Sequence, residues 1–336
     1  MASAKSVTVQ TGCRLHFGML THKPEQGREF GGVGMMLTEP GVRLTARALD
    51  RSVADADLIR LADAVPDPLE VEQFLRRGID LYRKCSSGEQ QSPRLELTVD
   101  RLIPRHQGLG SGTQLALAIG VAVSTMESRD ESASPLMISR QMERGRRSAI
   151  GLHGFSRGGL IVEAGKREPE EISPAIFSHP VPDEWRVVLV LPTTELGLHG
   201  SDEREAFRRL PPMPADLTGR LCQITMTDLL PAVMQREFDE FSEAVYQFGR
   251  LVGEYFASEQ GDVFADPQMG RLADELRRDG IRGVGQSSWG PSLFALLPNQ
   301  PQADQLAQRL RQQGYEDCRI LVASPLNSRA RVDVLT

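Results

Sequence analysis

The sequence predicts an α+β protein of two domains. Its 336 residues are enough to build two hydrophobic cores. Strand-like and helix-like stretches are mixed along both halves, and a charged, proline-bearing segment at 166–183 separates them. We therefore expect one domain over residues 1–170 and a second over residues 184–336.

Hydrophobic periodicity predicts the elements of each half in order. In the first half we predict strands at 7–14, 42–48, 95–99 and 160–164, and helices at 66–84, 115–123 and 134–147. In the second half we predict strands at 185–191, 292–297, 318–323 and 330–334, and helices at 232–258, 268–279 and 303–313. Ser134 and Pro135 suit the start of the helix at 134–147, because proline is favoured in the first helical turn.

Composition excludes several classes of protein. The chain is 40% hydrophobic and 25% charged, as globular proteins are, and its net charge of −6 argues against sequence-independent binding of nucleic acid. No apolar run approaches transmembrane length, and the first ten residues lack a signal core, so we expect a cytoplasmic protein that does not enter the membrane. The four cysteines, Cys13, Cys85, Cys222 and Cys318, are far apart and form no CxxC pair, which indicates free thiols.

A glycine-rich turn between the strand at 95–99 and the helix at 115–123 is the strongest candidate for a binding site. It reads Gly108, Leu109, Gly110, Ser111, Gly112 and Thr113. Glycine allows the backbone to approach a ligand closely, and the free N–H groups at a helix start bind anions. The turn is not a Walker loop, because Gln114 stands where a lysine would be needed. The alternative is a tight turn with only a packing role.

Two further stretches carry cations next to glycines. Arg14 and His16 lie on one face of the first strand and are followed by Gly31 and Gly32, and a cationic Arg–His pair can hold a phosphate or carboxylate. His16 alone would more often be a structural histidine.

Arg144, Arg146 and Arg147, with Ser148 after them, form the second cationic stretch. They suit either a clamp for phosphate or carboxylate, or a solvated helix end.

The second half adds two more candidate stretches. His199 and Glu203 follow the strand at 185–191 and are site candidates, with a helix cap and exposed charges as the alternative. Near the C-terminus lies a third glycine-rich stretch, whose candidates are Gly285, Gln286, Ser287, Ser288 and Trp289. A tryptophan in a loop covers either a ligand ring or the contact between the domains.

These motifs resemble one known family. Pro104-x-x-x-Gly108-Leu109-Gly110-Ser111-Gly112 is similar to the second signature of the GHMP superfamily, PxxxGLGSS, with glycine in place of the last serine. RLHFG at 14–18 followed by GGVG at 31–34, GRRSAIG at 145–151 and GVGQSSWGP at 283–291 resemble one branch, the β-ribofuranosylaminobenzene 5′-phosphate synthases. The resemblance implies a two-domain GHMP kinase-like fold, with an N-terminal domain like domain 2 of ribosomal protein S5 and a ferredoxin-like C-terminal domain.

The resemblance also implies an activity. The branch joins 5-phosphoribosyl 1-diphosphate to 4-hydroxybenzoate or 4-aminobenzoate in methanopterin synthesis, forming a C-riboside 5′-phosphate with loss of carbon dioxide and pyrophosphate. It implies Mg²⁺ carried by the diphosphate, small-molecule partners and, because members are often dimers, allows a homodimer. Two alternatives remain, an ATP-dependent GHMP kinase and a non-catalytic ligand-binding protein. The kinases carry a catalytic aspartate near the arginine cluster, whereas the acids between residues 142 and 164 here are Glu143 and Glu163.

In this reading, residues 108–113 hold the diphosphate or the 5′-phosphate, and Arg146 and Arg147 hold the second anion. Arg14 and His16 grip the benzoate carboxylate, and Trp289 excludes water. His199 and Glu203 match a GLxGxxE stretch of the branch.

Overall fold

The computed structural model describes residues 6–49, 56–63, 65–85, 94–126, 134–193, 200–315 and 317–335. Its first sheet has seven strands, of which five run in the order β11-β1-β2-β4-β3, while β5 pairs with β2 and β6 with β5. The strands are β1 (Ser6–Gly18), β2 (Gly32–Leu49), β3 (Leu58–Leu61), β4 (Arg94–Arg101), β5 (Leu160–Glu163), β6 (Ala175–His179) and β11 (Arg331–Leu335). All of these pairs are antiparallel except β3 with β4.

Four helices accompany the first sheet: α1 (Pro68–Cys85), α2 (Ser111–Met126), α3 (Pro135–Gln141) and α4 (Ile150–Arg157). Helix α2 lies against β1 and β2 and is covered by α1, α3 and α4, so it is buried almost all round. Its small residues make this possible, since a side chain at Gly120 would meet the Cγ2 atom of Ile138 at 2.2 Å. This packing places the N-terminus of α2 at the edge where the candidate residues gather.

The second sheet has the order β10-β7-β9-β8 and is antiparallel throughout. Its strands are β7 (Arg186–Pro192), β8 (Val284–Gln286), β9 (Leu293–Leu297) and β10 (Cys318–Ala323). The helices of this half are α5 (Gly200–Arg209), α6 (Ala215–Gln223), a π-helical segment (Ile224–Leu229), α7 (Leu230–Gln235), α8 (Phe238–Gln260), α9 (Pro267–Arg278) and α10 (Gln300–Gln312). Numbered by position in the chain, the sheet has the order 4-1-3-2, which confirms the ferredoxin-like topology.

The second sheet is buried on both faces, and this explains its near-continuous apolar strands. On β7, Val188 and Val190 pack into a core with α9 and α10. Val187, Leu189 and Leu191 point the other way, into a core that also contains α8 and the first sheet. The two halves therefore share one continuous hydrophobic core.

Several sequence-based predictions of elements are wrong in detail. The helix predicted at 134–147 ends at Gln141, because Glu143 and Gly145 take positive φ values of 55° and 78°. The helix predicted at 232–258 is two helices, divided at Arg236 with φ of 63°.

Two segments also belong elsewhere in the fold. The predicted linker at 166–183 contains β6, paired with β5. The strand predicted at 330–334 pairs with β1 and so closes the first sheet, not the second. Helices α4, α5 and α6 were not predicted.

Gln114 is a buried hydrogen-bonding bridge at the centre of the first half. Its Oε1 accepts from the Thr11 hydroxyl at 2.7 Å, and its Nε2 donates to the Gly151 carbonyl at 2.8 Å. The residue is fully buried, so α2 is tied to β1 and α4 through one amide.

We expect Gln114→Leu to lower the free energy of unfolding by about 2–3 kcal/mol, because it removes two buried hydrogen bonds, with the Thr11 hydroxyl and with the Gly151 carbonyl. Urea denaturation followed by circular dichroism measures this change. The exposed Gln308 offers the control, since Gln308→Leu on α10 should change stability by under about 0.5 kcal/mol. Equal effects of the two substitutions would contradict the bridging role of Gln114.

Candidate active site

A cavity of about 470 Å³ opens where the first strand, the glycine turn, the arginine loop and the second half meet. We call residues 142–149 the arginine loop. The cavity is lined by Arg14, His16, Met19, Phe30, Gly31, Thr113, Glu143, Arg144, Gly145, Arg146, Arg147, Ser148, Glu203, Phe207, Phe256, Ser288 and Trp289. We call this space the aromatic lobe, after its four large rings.

A second cavity of about 300 Å³ adjoins it and surrounds the glycine turn. We call this space the glycine lobe. It is lined by Phe74, Arg105, His106, residues 108–113 and Gly290, and it shares Arg14, Thr113, Arg144, Glu203, Ser288 and Trp289 with the aromatic lobe. The two lobes are thus neighbouring parts of one site, separated by a wall that carries two arginines.

The glycine turn needs its glycines for steric reasons. Gly108 and Gly110 take φ values of 68° and 76°. A Cβ atom at Gly108 would lie 2.1 Å from the Ser287 carbonyl oxygen, and one at Gly110 would lie 2.7 Å from Cγ of Arg14. Ser111, Gly112 and Thr113, the first residues of α2, line the glycine lobe, so the positive end of the helix faces it.

Arg14 is held against the glycine turn. Its Nη1 donates to the Gly108 carbonyl at 2.8 Å, and its backbone N–H donates to the Leu109 carbonyl at 3.1 Å. Burial lowers the pKa of Arg14 to about 10, while Glu203 and Glu163 act to raise it. Arg14 therefore stays cationic at neutral pH and presents its charge to both lobes.

His16 lines the aromatic lobe beside Arg14, but it is not a cation. Burial, together with the charges of Arg14 and Arg147, holds the pKa of His16 well below its ordinary value. The expected cationic Arg–His pair is therefore wrong for His16, because a buried imidazole beside two arginines loses its proton. Within the described part of the chain its Nε2 is buried without a hydrogen-bond partner.

The arginine loop directs its three arginines differently. Arg147 donates to Glu203 at 2.8 Å and lies over the Phe207 ring at 4.9 Å. Arg144 lies over the Phe74 ring at 5.2 Å.

The Arg144 guanidinium also faces the start of α2, since a Cβ atom at Gly112 would lie 3.5 Å from Arg144 Nη1. Burial and the nearby charges of Arg77 and Arg105 lower its pKa. From this loop, Arg144 therefore faces both lobes and Arg147 faces the aromatic lobe.

Arg146 is the exception in the arginine loop. Its side chain is 58% exposed and pairs with Glu143 at 3.0 Å, so it stands at the rim of the aromatic lobe. From sequence, the second anion was assigned to Arg146 and Arg147 and not to Arg144. All three belong to one visible cluster, but only the fold of the loop decides which of them point inward.

Trp289 lies between the lobes and is 3% exposed. Its ring stacks on Phe256 at 4.2 Å and meets Phe207 edge-on at 5.2 Å. Both interpretations of this residue therefore describe part of its environment, since it lines the site and also packs in the shared core.

The site holds an unusual concentration of unsatisfied polar atoms. Among the described residues, His16 Nε2, Arg144 Nε, Arg147 Nη1 and Trp289 Nε1 are buried without a hydrogen-bond partner. Buried polar groups in proteins are normally paired, so this cluster is typical of a site that takes a polar ligand.

Comparison with known proteins agrees with this geometry. Residues 229–316 match the family model described as GHMP kinases C terminal. The chain is 27% identical over 306 residues to the beta-ribofuranosylphenol 5'-phosphate synthase of Methanothermobacter thermautotrophicus, covering 87% of this chain and 89% of that protein. It is also 27% identical over 343 residues to the synthase of the same name from Archaeoglobus fulgidus, covering 97% and 99%. Residues 229–316 therefore form a domain of the GHMP kinase C-terminal family, and the chain is an enzyme similar to these synthases over most of its length.

Solved structures show the fold of this enzyme independently. A putative homoserine kinase from Listeria monocytogenes superimposes with a TM-score of 0.66 at 16% identity, covering 97% of this chain and 99% of that one. A mevalonate pyrophosphate decarboxylase from Streptococcus pyogenes gives a TM-score of 0.67 at 13% identity, covering 97% and 98%. The predicted α+β GHMP kinase-like fold is therefore confirmed.

Not every sequence-predicted site residue lines the two cavities. The aromatic lobe is lined by three that were assigned to substrate binding: Gly31, Ser148 and Ser288. Gly32 is buried in β2, where a Cβ atom would meet His16 Nε2 at 2.9 Å. His199 lies outside the described residues.

The C-terminal glycine stretch divides in the same way. Gly285 packs on the Phe294 ring, and the Gln286 Oε1 accepts from the Ala265 backbone, so both support β8 and not the site. Ser287 is fully buried and donates to the Gly108 carbonyl at 2.7 Å, and its Oγ accepts from the His16 backbone. Its role is to join the glycine turn to the second half.

The described residues contain no group of three or more metal-ligating side chains, and their helices include none long and apolar enough to cross a membrane. The glycine lobe presents Arg14, Arg105, Arg144 and the N-terminus of α2, with Glu203 as the acid among its lining residues, and these cations and free N–H groups suit an anion.

We expect Gly110→Val to abolish binding of inorganic pyrophosphate, because its side chain would displace Arg14 from the glycine turn. Isothermal titration calorimetry measures this. Gly280→Val is the matched control, since Gly280 also has a positive φ, of 89°, but has no atom near its Cβ position. If the two variants bind pyrophosphate equally well, the glycine turn is not part of the anion site.

We expect Arg144→Met to weaken pyrophosphate binding about tenfold to a hundredfold, since hydrogen bonds to charged groups contribute about 1.5–3 kcal/mol. Arg146→Met should change it less than about threefold, because Arg146 is exposed and already paired. Titration of both variants, with thermal unfolding to confirm that each folds, checks this order. If Arg146→Met weakened pyrophosphate binding more than Arg144→Met, the anion site would include Arg146, as assigned from sequence.

Proposed function

We propose that this enzyme is a decarboxylating phosphoribosyltransferase that joins 5-phosphoribosyl 1-diphosphate to a 4-substituted benzoate. The products are a C-riboside 5′-phosphate, carbon dioxide and pyrophosphate. One observation carries the proposal, namely a cationic, glycine-lined lobe and an aromatic lobe that share the Arg14 wall. Similarity to named synthases over most of the chain supports it.

The glycine lobe is assigned to the phosphate groups of the donor. The N-terminus of α2, Arg14 and Arg144 offer backbone N–H groups and fixed positive charge there. Such groups favour departure of pyrophosphate, because they stabilise negative charge as it develops on the leaving oxygen. Magnesium belongs in this proposal to the substrate, as its complex with the diphosphate.

The aromatic lobe is assigned to the benzoate ring. Phe30, Phe207 and Trp289 provide flat apolar surface, and Arg147 provides a cation for a carboxylate. The related synthases are named for a ribofuranosylphenol phosphate, so we expect 4-hydroxybenzoate to be preferred over 4-aminobenzoate. A neutral His16 is suited to a hydrogen bond with the ring substituents and not to gripping the carboxylate.

The reaction balances without an additional reagent. The bond from the ribose C1′ to the diphosphate oxygen breaks, and pyrophosphate takes the electron pair. The ring carbon that carries the carboxylate attacks C1′, and the bond to the carboxyl carbon then breaks, which releases carbon dioxide and restores the aromatic ring.

Glu203 lines both lobes and is placed to stabilise positive charge on the sugar carbon. Phe256 and Trp289 close the site against water, which would otherwise capture that carbon.

Two further parts of the proposal are carried by the resemblance alone, a place in methanopterin synthesis and a homodimer, whereas the cytoplasmic location is the expectation from the sequence. The kinase alternative is supported by the shared fold. The arginine loop contains no aspartate that could act as the catalytic aspartate of the kinases does.

We expect the purified protein to release labelled carbon dioxide from carboxyl-labelled 4-hydroxybenzoate only when Mg²⁺ and 5-phosphoribosyl 1-diphosphate are both present. Scintillation counting of the released gas measures this. Arg147→Met should lower the rate of release at least tenfold. Arg140 is exposed on α3 and lies outside the two lobes, so Arg140→Met should leave the rate within about twofold of the unmodified protein.

Two outcomes would contradict the proposal. Absence of release with either benzoate, together with ATP-dependent phosphorylation of an alcohol, would favour a GHMP kinase. Absence of both reactions, with tight binding of a phosphorylated ligand, would favour a binding protein on this fold.

A further inference from the structure

Glu163 is a buried carboxyl group directly behind the site. It ends β5 and is fully buried. Its Oε2 accepts the Ala149 backbone N–H at 2.7 Å, while Oε1 is buried and has no hydrogen-bond partner among the described residues. Within that part of the chain Glu163 also has no ion-pair partner within 4.0 Å. A carboxylate in such a place is costly to bury, so its protonation is finely balanced.

Glu163 adjoins the site from two sides, through β2 and through the end of the arginine loop. It pairs with Gly32 across the sheet, next to Gly31, which lines the aromatic lobe. Its hydrogen bond to Ala149 fixes the end of the arginine loop, where Ser148 lines the lobe. On β1, Arg14 acts on it electrostatically. A change of charge on Glu163 therefore acts on the anion site from within the protein.

The ionised and protonated forms of Glu163 are balanced near neutral pH. Burial raises the pKa of the Glu163 carboxyl to about 7, and Ser148, the Ala149 N–H, Ser173 and Arg14 act to lower it. The other titratable groups on neighbouring elements include His16 on β1, Arg144, Arg146 and Arg147 in the arginine loop, and His153 and Arg157 on α4. Burial lowers the pKa of both histidines, so they remain neutral where Glu163 titrates.

We propose that Glu163 couples anion binding in the site to the uptake of one proton. A bound phosphate or diphosphate brings negative charge to Arg14 and the arginine loop, which favours the neutral form of Glu163. The proton comes from solvent and stays on the carboxyl, while Oε2 continues to accept the Ala149 N–H. When the anion leaves, the proton returns to solvent.

Glu163 is in this view a positioning residue, since it acts through Arg14 and the arginine loop and does not line either lobe. The inference rests on the proposed function only for the identity of the anion. Its consequence for the reaction is that the site binds anionic substrate most tightly below pH 7 and releases pyrophosphate more readily above it.

The experiment is a titration of the full-length protein with inorganic sulfate between pH 6 and pH 8. Sulfate keeps its double charge over this range, so any dependence on pH belongs to the protein. We expect the affinity of the unmodified protein to fall about three- to tenfold from pH 6 to pH 8, with a midpoint near pH 7. Glu163→Gln keeps an oxygen that accepts from Ala149 but cannot ionise, so its affinity should not change with pH.

His153→Gln is the matched control, since it removes a neighbouring titratable group and should leave the pH dependence intact. A second measurement needs no variant at Glu163. The binding enthalpy at pH 7 in buffers of different ionisation enthalpy reports the number of protons taken up, which we expect to lie between about 0.3 and 0.5, because a carboxyl group with a pKa of about 7 is already half protonated there.

The outcomes separate this inference from the proposed function. Sulfate binding without proton uptake, or Glu163→Gln with the same pH dependence as the unmodified protein, overturns the role of Glu163 alone. Loss of the pH dependence in His153→Gln also overturns it. Failure of the unmodified protein to bind sulfate or pyrophosphate at any pH would remove the anion site itself, and with it the proposed function.

Discussion

The carbonyl oxygen of Gly108 is the point on which the site depends. It accepts hydrogen bonds from Arg14 in the first strand and from Ser287 in the second half. Ser287 in turn accepts the backbone N–H of His16. Three segments that are distant in the chain are thereby held at one atom, and each must keep its place for the others to do so. Because Ser287 and the glycine turn are in close contact, the two halves meet without a gap at the site.

The electrostatics of the site follow from this arrangement. Two carboxyl groups act electrostatically to keep Arg14 charged: Glu203 in the site and Glu163 behind it. Glu203 also pairs with Arg147, and His16 is left neutral. The site therefore keeps its positive charge on arginines, whose ionisation resists burial, and not on histidine, whose ionisation does not.

The fold is shared with proteins named as kinases and decarboxylases, so fold alone does not decide the chemistry. What distinguishes this chain is the surface of the site. The arginine loop supplies guanidinium groups, and α5, α8 and the C-terminal glycine stretch supply Phe207, Phe256 and Trp289. A lobe walled by aromatic rings next to a cationic lobe suits a flat aromatic acid beside a phosphorylated sugar.

The sequence by itself determined the class of fold, most strands, and the segments that form the site. These depend on local signals: hydrophobic alternation, glycines that permit positive φ, and clusters of arginine. Only the tertiary structure decided which members of each cluster face the ligand. Arg144 points inward and Arg146 outward because Glu143 and Gly145 turn the chain between the helices. Gly285 and Gln286 support β8, while Ser287 joins the glycine turn to the second half, because the fold brings Phe294, Ala265 and Gly108 to them.

The same holds for the last strand, for Gln114 and for Glu163. Each acquires its role from a partner over a hundred residues away, or from the burial that the whole fold imposes. No pattern of neighbouring residues encodes such a partner.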